Sequence, residues 1–262
     1  MGHMPDTPSD SRASATETSS STVRSVDRAL DLLELLERGD GPLRLVELSR
    51  GSGLQNATVL RILGSLQRRG WVTVEHGEYR VGPAALGIAN GFLTTDRLSG
   101  RARPVLQQLA DSTRLTASLY VRVGEERILT VRVDGEDPLR YQLPLGRRLP
   151  LHVGAGKNIL AAFPEEERER VLARIGSTDT AGGASVSADE LRAQLDVVRR
   201  DGFHISIDER ETGVAAVSVP IHDRAGEVVA AISTSGPTET ITRARLEARV
   251  PELRRAAAAV ER

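Results

Sequence analysis

The chain has 262 residues, enough for one large domain or two ordinary ones, each with a buried core. It is 39% hydrophobic and 27% charged, has no apolar run near the ~18–20 residues of a membrane span and no signal-peptide pattern, and so reads as soluble and cytoplasmic. The absence of cysteine excludes disulfides, zinc fingers and thiol nucleophiles, and a net charge of −1 leaves any nucleic-acid argument to local charge.

The opening MGHM reads as an expression scar, and the polar run SRASATETSSST completes a disordered tail over residues 1–22. A compact module follows. Val26, Ala29, Leu30, Leu33 and Leu36 fall at helical spacing before a stop at Gly39 to Pro42. A short second helix covers 46–52, with Leu45 and Leu48 inward and Gly51-Ser52-Gly53 as the break. The third runs over 56–69, buries Val59, Ile62, Leu63 and Leu66, and ends at Gly70, where a left-handed cap is required. WVTVEHGEYRV then reads as two strands around a His76-Gly77 turn.

A helix over 83–98 links this module to the rest, followed without a clear break by another over 100–112. Beyond it ASLYVRV, RILTVRV and RYQL look like strands, with turns at Gly124 and Asp134-Gly135. Helices are expected over 156–162, 165–174 and 189–200. The strands HISID, VAAVSVP and VVAAIST, a DRAG turn and a helix carrying RLEARVPELRRAAAAV complete the chain. The domains expected are the tail at 1–22, the helical module with its hairpin at 23–82, the linker helix at 83–98 and an α+β domain at 99–262.

Three helices with a trailing hairpin form a winged helix-turn-helix, whose second paired helix enters a DNA major groove. In the third helix Ala57, Thr58, Arg61, Ser65 and Arg68 lie opposite the apolar stripe, and the span from Gln55 to Arg69 has three arginines and no acid. Thr58 can donate to a phosphate or base edge, and Arg61 can reach guanine or phosphate. In the wing, Glu75 and Glu78 would repel phosphate and leave Arg80 as the main cation. The candidate DNA contacts are Arg44, Gln55, Asn56, Ala57, Thr58, Arg61, Ser65, Arg68 and Arg80, with Asn56, Ala57, Thr58 and Arg61 best placed to read sequence. Single arginines carry little weight in this chain, because Lys157 is its only lysine among 35 basic residues.

Two catalytic readings are weak. GAGK at 154–157 lacks the first glycine and the Ser or Thr of a phosphate loop, with Asn158 after the lysine. His204, Asp208, Glu209 and Glu211 lack a metal-site spacing and read as a solvated strand edge; His76, His152 and His222 are isolated and read as packing residues. No catalytic residue, metal ligand or cofactor is expected. A binding seat is better supported: the turn before Gly156 opens a helix whose first N–H groups lack internal acceptors, and Gly154, Ala155 and Gly156 leave room for a carboxylate.

The runs SVDRALDLLELL, VELSRGSGLQNATVLRILGSLQRRGWV and YRVGPAALGIA, continued by LGRRLPLHVGAGKNILAAF and VRRDGFHISIDERETGVAAVSVPIHDRAGEVVAAISTSGP, resemble the IclR family of bacterial transcriptional regulators over residues 25–259. The resemblance implies a winged helix-turn-helix, a linker helix and a GAF-like, profilin-like effector-binding domain around a mainly antiparallel sheet. It also implies homodimers or dimers of dimers on palindromic operators, acting as repressors, activators or both in response to a small metabolite, with control of a catabolic operon as the usual role. The family's ligand faces the Gly154–Ala155–Gly156 loop and the positions of Ser206, Ala216, Ser233 and Ser235. Ser206 stands where relatives often carry an acid, and Ala216 where a polar residue or cysteine is found. Both departures point to an acid with an apolar body, such as an aromatic carboxylic acid. Asn158 replaces a small apolar residue, with no role legible from the sequence. Two alternatives stay open at this level: a DNA-binding protein whose C-terminal domain only oligomerises, and an enzyme with an appended DNA-binding domain.

Overall fold

The computed structural model describes residues 23–39, 41–136 and 143–261; the tail at 1–22 and most of RYQL lie outside them. The chain divides into two compact units, Met1–Gly87 and Ile88–Arg262. The first holds α1 (Arg24–Arg38), β1 (Leu43–Arg44), α2 (Leu45–Ser52), α3 (Asn56–Arg68), β2 (Val72–Glu75) and β3 (Glu78–Val81), then enters α4 (Ala84–Thr95). Leu32, Leu36, Leu48, Val59, Leu63 and Val72 form its core, with Ile62, Leu66 and Tyr79 packed against it. The α1 face is rotated from expectation: Leu36 is buried and Leu33 packs against the core as expected, but Val26 and Leu30 are both 52% exposed and Leu32 is fully buried instead. On a helix that turns 100° per residue, Leu32 lies on the opposite flank of the stripe from Val26 and Leu30, and the core took that flank. β1 adds a third strand to the wing in the order β1-β3-β2, a two-residue element too short to show a period. The hairpin turn has His76 at φ 53° and Gly77 at φ 81°, the doubly positive geometry that matches strand twist.

The second unit continues with α5 (Arg97–Thr113), β4 (Thr116–Val123), β5 (Glu126–Val133), β6 (Arg148–Pro150), α6 (Gly156–Ala161), α7 (Glu165–Ile175), β7 (Ser177–Asp179), β8 (Ser185–Ser187), α8 (Ala188–Asp201), β9 (His204–Ile207), β10 (Val214–His222), β11 (Val228–Pro237), α9 (Arg243–Glu247) and α10 (Val250–Glu261). Asp96 marks the break between α4 and α5 that the sequence hid: its carboxylate accepts from the Ser99 N–H at 2.9 Å as an N-cap. RLEARVPELRRAAAAV forms two helices rather than one, because Pro251 belongs in the first turn of a helix and not in its interior.

The main sheet runs β6-β5-β4-β11-β10-β9, antiparallel throughout. On one face Leu119, Val131, Val217, Val219 and Ile232 pack against Leu106 of α5 and Leu253 of α10. The other face carries α6, α7 and α8, where Ile159, Leu160, Leu172, Leu191 and Leu195 form a second core over Ala231. A bulge between Leu119 and Tyr120 opposite Thr130 shifts the β4–β5 register and leaves Tyr120 beside Leu129 on this second face. Among the described residues no helix is long and apolar enough to cross a membrane.

Candidate nucleic-acid interface and effector pocket

In the N-terminal unit, Gly53 at φ 66° closes α2 and lets the chain turn into α3. Gln55 precedes α3 without a side-chain cap, and its first turn holds no acid, so the helix begins with exposed N–H groups beside Asn56 and Ala57. Arg61 is exposed, and its guanidinium makes no hydrogen bond or ion pair among the described residues. Arg68 donates to Ser65 Oγ at 3.2 Å, which holds both side chains along the same helix face. Between α1 and α3 lies a groove of about 380 Å³ lined by Arg28, Thr58, Arg61 and Ser65. The wing arranges its charge differently. Arg80 pairs with Glu75 at 3.2 Å and Arg44 with Glu78 at 3.4 Å, so both wing cations are neutralised by wing carboxylates.

In the second unit, strand register brings separate segments together. Ala216 faces Ser206 of β9 on one side and Ser235 of β11 on the other, while Ser218 faces Ser233 of β11 in the next row. Alternation places these side chains on the α6 face. Gly154 (φ 55°) and Ala155, in the turn before α6, close one side of a concavity of about 50 Å³ over Ser206, Ala216, Ser233 and Ser235. Glu209, Arg210 and Glu211, from the loop joining β9 to β10, close another side, and Tyr120 and Arg127 reach in from β4 and β5. Six of the seven residues expected at a ligand thus meet in one place. Gly156 lies behind it: a side chain there would collide with Arg127 Nη1 and the Leu151 backbone, so this glycine makes room for the protein's own arginine.

No local pattern in the sequence singles out Arg127. It is 2% exposed, donates from Nη1 to the Pro150 carbonyl, and has its guanidinium 5.1 Å from the Tyr120 ring centre. Its buried Nε has no partner. Burial is the main influence on it and brings its pKa down to about 10; Tyr120 and Glu209 act in the opposite sense.

The expected solvated edge is instead a buried ion network. Glu209 accepts from the Gly154 N–H at 2.8 Å, from Lys157 Nζ at 2.9 Å and from His204 Nε2 at 2.8 Å. Burial alone would raise its pKa, but the His204 hydrogen bond, Lys157 and the Gly154 N–H outweigh it and hold it at about 2. His204 is driven down by burial, so a neutral ring donating from Nε2 fits the pair. Glu209 therefore fills the backbone seat at Gly154 that a ligand carboxylate was expected to take, and Lys157, also bonded to Gln194, is its counter-ion. The supposedly isolated histidines have partners as well: His152 lies 3.3 Å from Thr178 Oγ1, and His222 bonds Glu261 at 3.0 Å. Asn158 donates from Nδ2 to Ser218 Oγ at 2.7 Å, tying α6 to β10, while its buried Oδ1 has no partner. It also lines a roomier concavity of about 500 Å³, walled by Val198, Val219, Pro220 and Ala257, which none of the expected ligand residues enters.

The chain resembles known proteins over nearly its whole length. Residues 25–76 match the IclR helix-turn-helix domain, and residues 91–262 match the bacterial transcriptional regulator IclR C-terminal domain. The transcriptional repressor IclR of Escherichia coli strain K12 is 32% identical over 235 residues, 88% of this chain and 86% of the relative. The crystal structure of a regulator from Alicyclobacillus acidocaldarius superposes with a TM-score of 0.78 at 27% identity, covering 92% of this chain and 98% of that one. At 23% identity and a TM-score of 0.70, a homologue from Microbacterium hydrocarbonoxydans complexed with 4-hydroxybenzoate shares the fold over 90% of this chain and 97% of its own. Such relatives are transcriptional regulators and not enzymes, which removes the enzymatic alternative. The chain belongs to the IclR family of bacterial transcriptional regulators.

Proposed function

We propose that this regulator senses a small organic acid in the pocket between Gly154 and the β9–β11 strands, and that binding changes its grip on a palindromic operator. The convergence of Gly154, Ala155, Ser206, Ala216, Ser233 and Ser235 on one concavity carries this reading. A volume of about 50 Å³ holds three to five waters at ~10–15 Å³ each, so the aromatic body expected from the sequence needs the Glu209–Glu211 wall to move outward. The 4-hydroxybenzoate of the Microbacterium protein makes a natural first aromatic to test.

On the DNA side, α3 is the reading element, through Asn56, Ala57, Thr58 and Arg61, with Ser65 and Arg68 further along it. The wing residues Arg44 and Arg80, each paired with a glutamate, add little net charge. Two copies pair through apolar surface that a lone chain leaves open: Val26 and Leu30 of α1, and Leu86, Ile88 and Phe92 of α4, a helix with no buried residue. α4 is the path by which the sensor state reaches the DNA-binding module, in the cytoplasm. A coupling of about 1–3 kcal/mol changes operator affinity roughly 5–150-fold.

The test is a footprint of the gene's own upstream region, titrated with candidate acids and with salt. A shift within that range and a steep loss of affinity with salt are expected. Operator affinity that no acid alters would overturn the sensor reading, and a flat salt response would overturn the DNA reading. Arg61→Ala should weaken the complex about tenfold, and Arg80→Ala much less.

A further inference from the structure

Arg127 is a cation that the folded chain does not neutralise. Nη1 is committed to the Pro150 carbonyl, but Nε has no acceptor among the described residues, and Glu209, the carboxylate that acts on it, is already shared among Gly154, Lys157 and His204. The Tyr120 ring gives weak compensation at 5.1 Å. Nη2 lies on the Gly154 side of the pocket, 3.6 Å from where a side chain on Gly154 would begin. A guanidinium buried without a counter-ion is a standing penalty, and replacing such a group with an apolar side chain often stabilises a fold. Here the fold is built around it: Gly156 gives up its side chain to admit Nη1.

We propose that Arg127 is the specificity-determining residue of the effector pocket, and that the effector is a monocarboxylate whose carboxylate completes the guanidinium's Nε–Nη2 edge. This rests on the effector-pocket reading above. The planar fork of a guanidinium matches a carboxylate with two parallel hydrogen bonds, whereas an amide offers one acceptor and no charge. The charge count sets the limit at one. Arg127, Lys157 and Arg210 stand against Glu209 and Glu211, which leaves a single positive charge in surplus; Lys157 is paired with Glu209 at 2.9 Å, and Glu211 on the same wall opposes a second ligand carboxylate. Ser206, Ser233 and Ser235 are then left to the ligand's body.

The experiment uses the full chain and pairs of acids with their amides: pyruvate and pyruvamide, benzoate and benzamide, 4-hydroxybenzoate and 4-hydroxybenzamide. Calorimetry should show at least one acid binding the wild type tenfold or more tighter than its amide. Succinate, with a second carboxylate, should bind more weakly than that acid. Arg127→Met should abolish the acid-over-amide preference while leaving the ligand-free melting temperature equal to wild type or higher. A merely structural arginine would lower it. Arg127→Lys, which keeps the charge and loses the fork, should retain an intermediate preference and serves as the informative variant if Arg127→Met does not fold. If an acid binds the wild type and Arg127→Met or Arg127→Lys keeps the full preference, the pocket reading survives and Arg127 is overturned. If no acid of the panel binds the wild type, both fall.

Discussion

The main sheet of the C-terminal unit has two faces made from the same strands. Along β10, Ala215, Val217, Val219 and Ile221 are at most 1% exposed and belong to the core with α5 and α10. The residues between them, Ala216 and Ser218, look toward α6 and stand in rows with Ser206, Ser233 and Ser235. Burial does not separate the faces, since Ser218 is 2% exposed and Ser233 4%. Chemistry does. The α5–α10 side gains free energy from apolar area removed from water, roughly 25 cal/mol per Å². The α6 side buries hydroxyls, an ion network and a guanidinium, groups that cost free energy wherever their partners are incomplete. The α6 side has an apolar core of its own over Ala231, around Ile159, Leu160, Leu172 and Leu191, so apolar contacts support both faces, while the polar groups gathered on the α6 face are the ones a ligand can use.

If that division is right, substitutions on the apolar face change stability and leave ligand preference alone. Leu119→Ala, at a fully buried position, should cost about 4 kcal/mol in urea unfolding through the lost methyl groups and the cavity left behind. The acid-over-amide preference of the folded variant should match wild type; a changed preference would mean that the faces are coupled.

The ion network on the polar face contributes stability too, and pH dependence identifies the group responsible. Glu209→Gln leaves Lys157 buried without a counter-ion and should cost about 3 kcal/mol at neutral pH. The folded Glu209 pKa is about 2, below the ordinary 4.5. Its contribution is therefore complete above pH 4.5 and is lost as pH falls from 4.5 toward 2. The stability difference between wild type and variant should be flat from pH 7 to about 5 and close below 4.5. A difference that persists at pH 2.5 would show that the side chain acts through packing rather than charge.

Much of this division could be read from the sequence. The period-two alternation in VAAVSVP and VVAAIST set the strands and their inner faces, and the helical periods of α3 and α8 placed those helices to within a residue or two. The serines of β9 and β11 were found because their place in the order of segments resembles a family's. Arg127 was not found. In a chain with 35 basic residues, an arginine inside RILTVRV looks like one more solvated charge. Its burial depends on the Tyr120 bulge and on the room left by Gly156, both long-range consequences of the fold. The one local hint was parity, since Arg127 shares its side of the strand with Leu129. The burial of Glu209 is illegible for a related reason: the loop from Asp208 to Gly213 turns inward, with Asp208 at φ 53° and its carboxylate bonded to the Gly213 N–H at 2.6 Å. No pattern of spacing announces that turn.

The smallest effect falls on a single hydroxyl. Ser233 is 4% exposed at the centre of the polar face, opposite Ser218 and Ser118, and its hydroxyl makes no hydrogen bond among the described residues. Ser233→Ala removes a group the ligand-free protein does not use, so its stability should stay within about 0.5 kcal/mol of wild type. A hydrogen bond made only to the bound acid is worth about 1 kcal/mol, and affinity should fall roughly fivefold. The same exchange made with Arg127→Met in place locates the ligand. An effector anchored by its carboxylate at Arg127, with its body along β11, makes the two effects non-additive, because the body loses its register when the anchor goes. Simple additivity would put the body on the Gly154 side of the pocket, away from the strands.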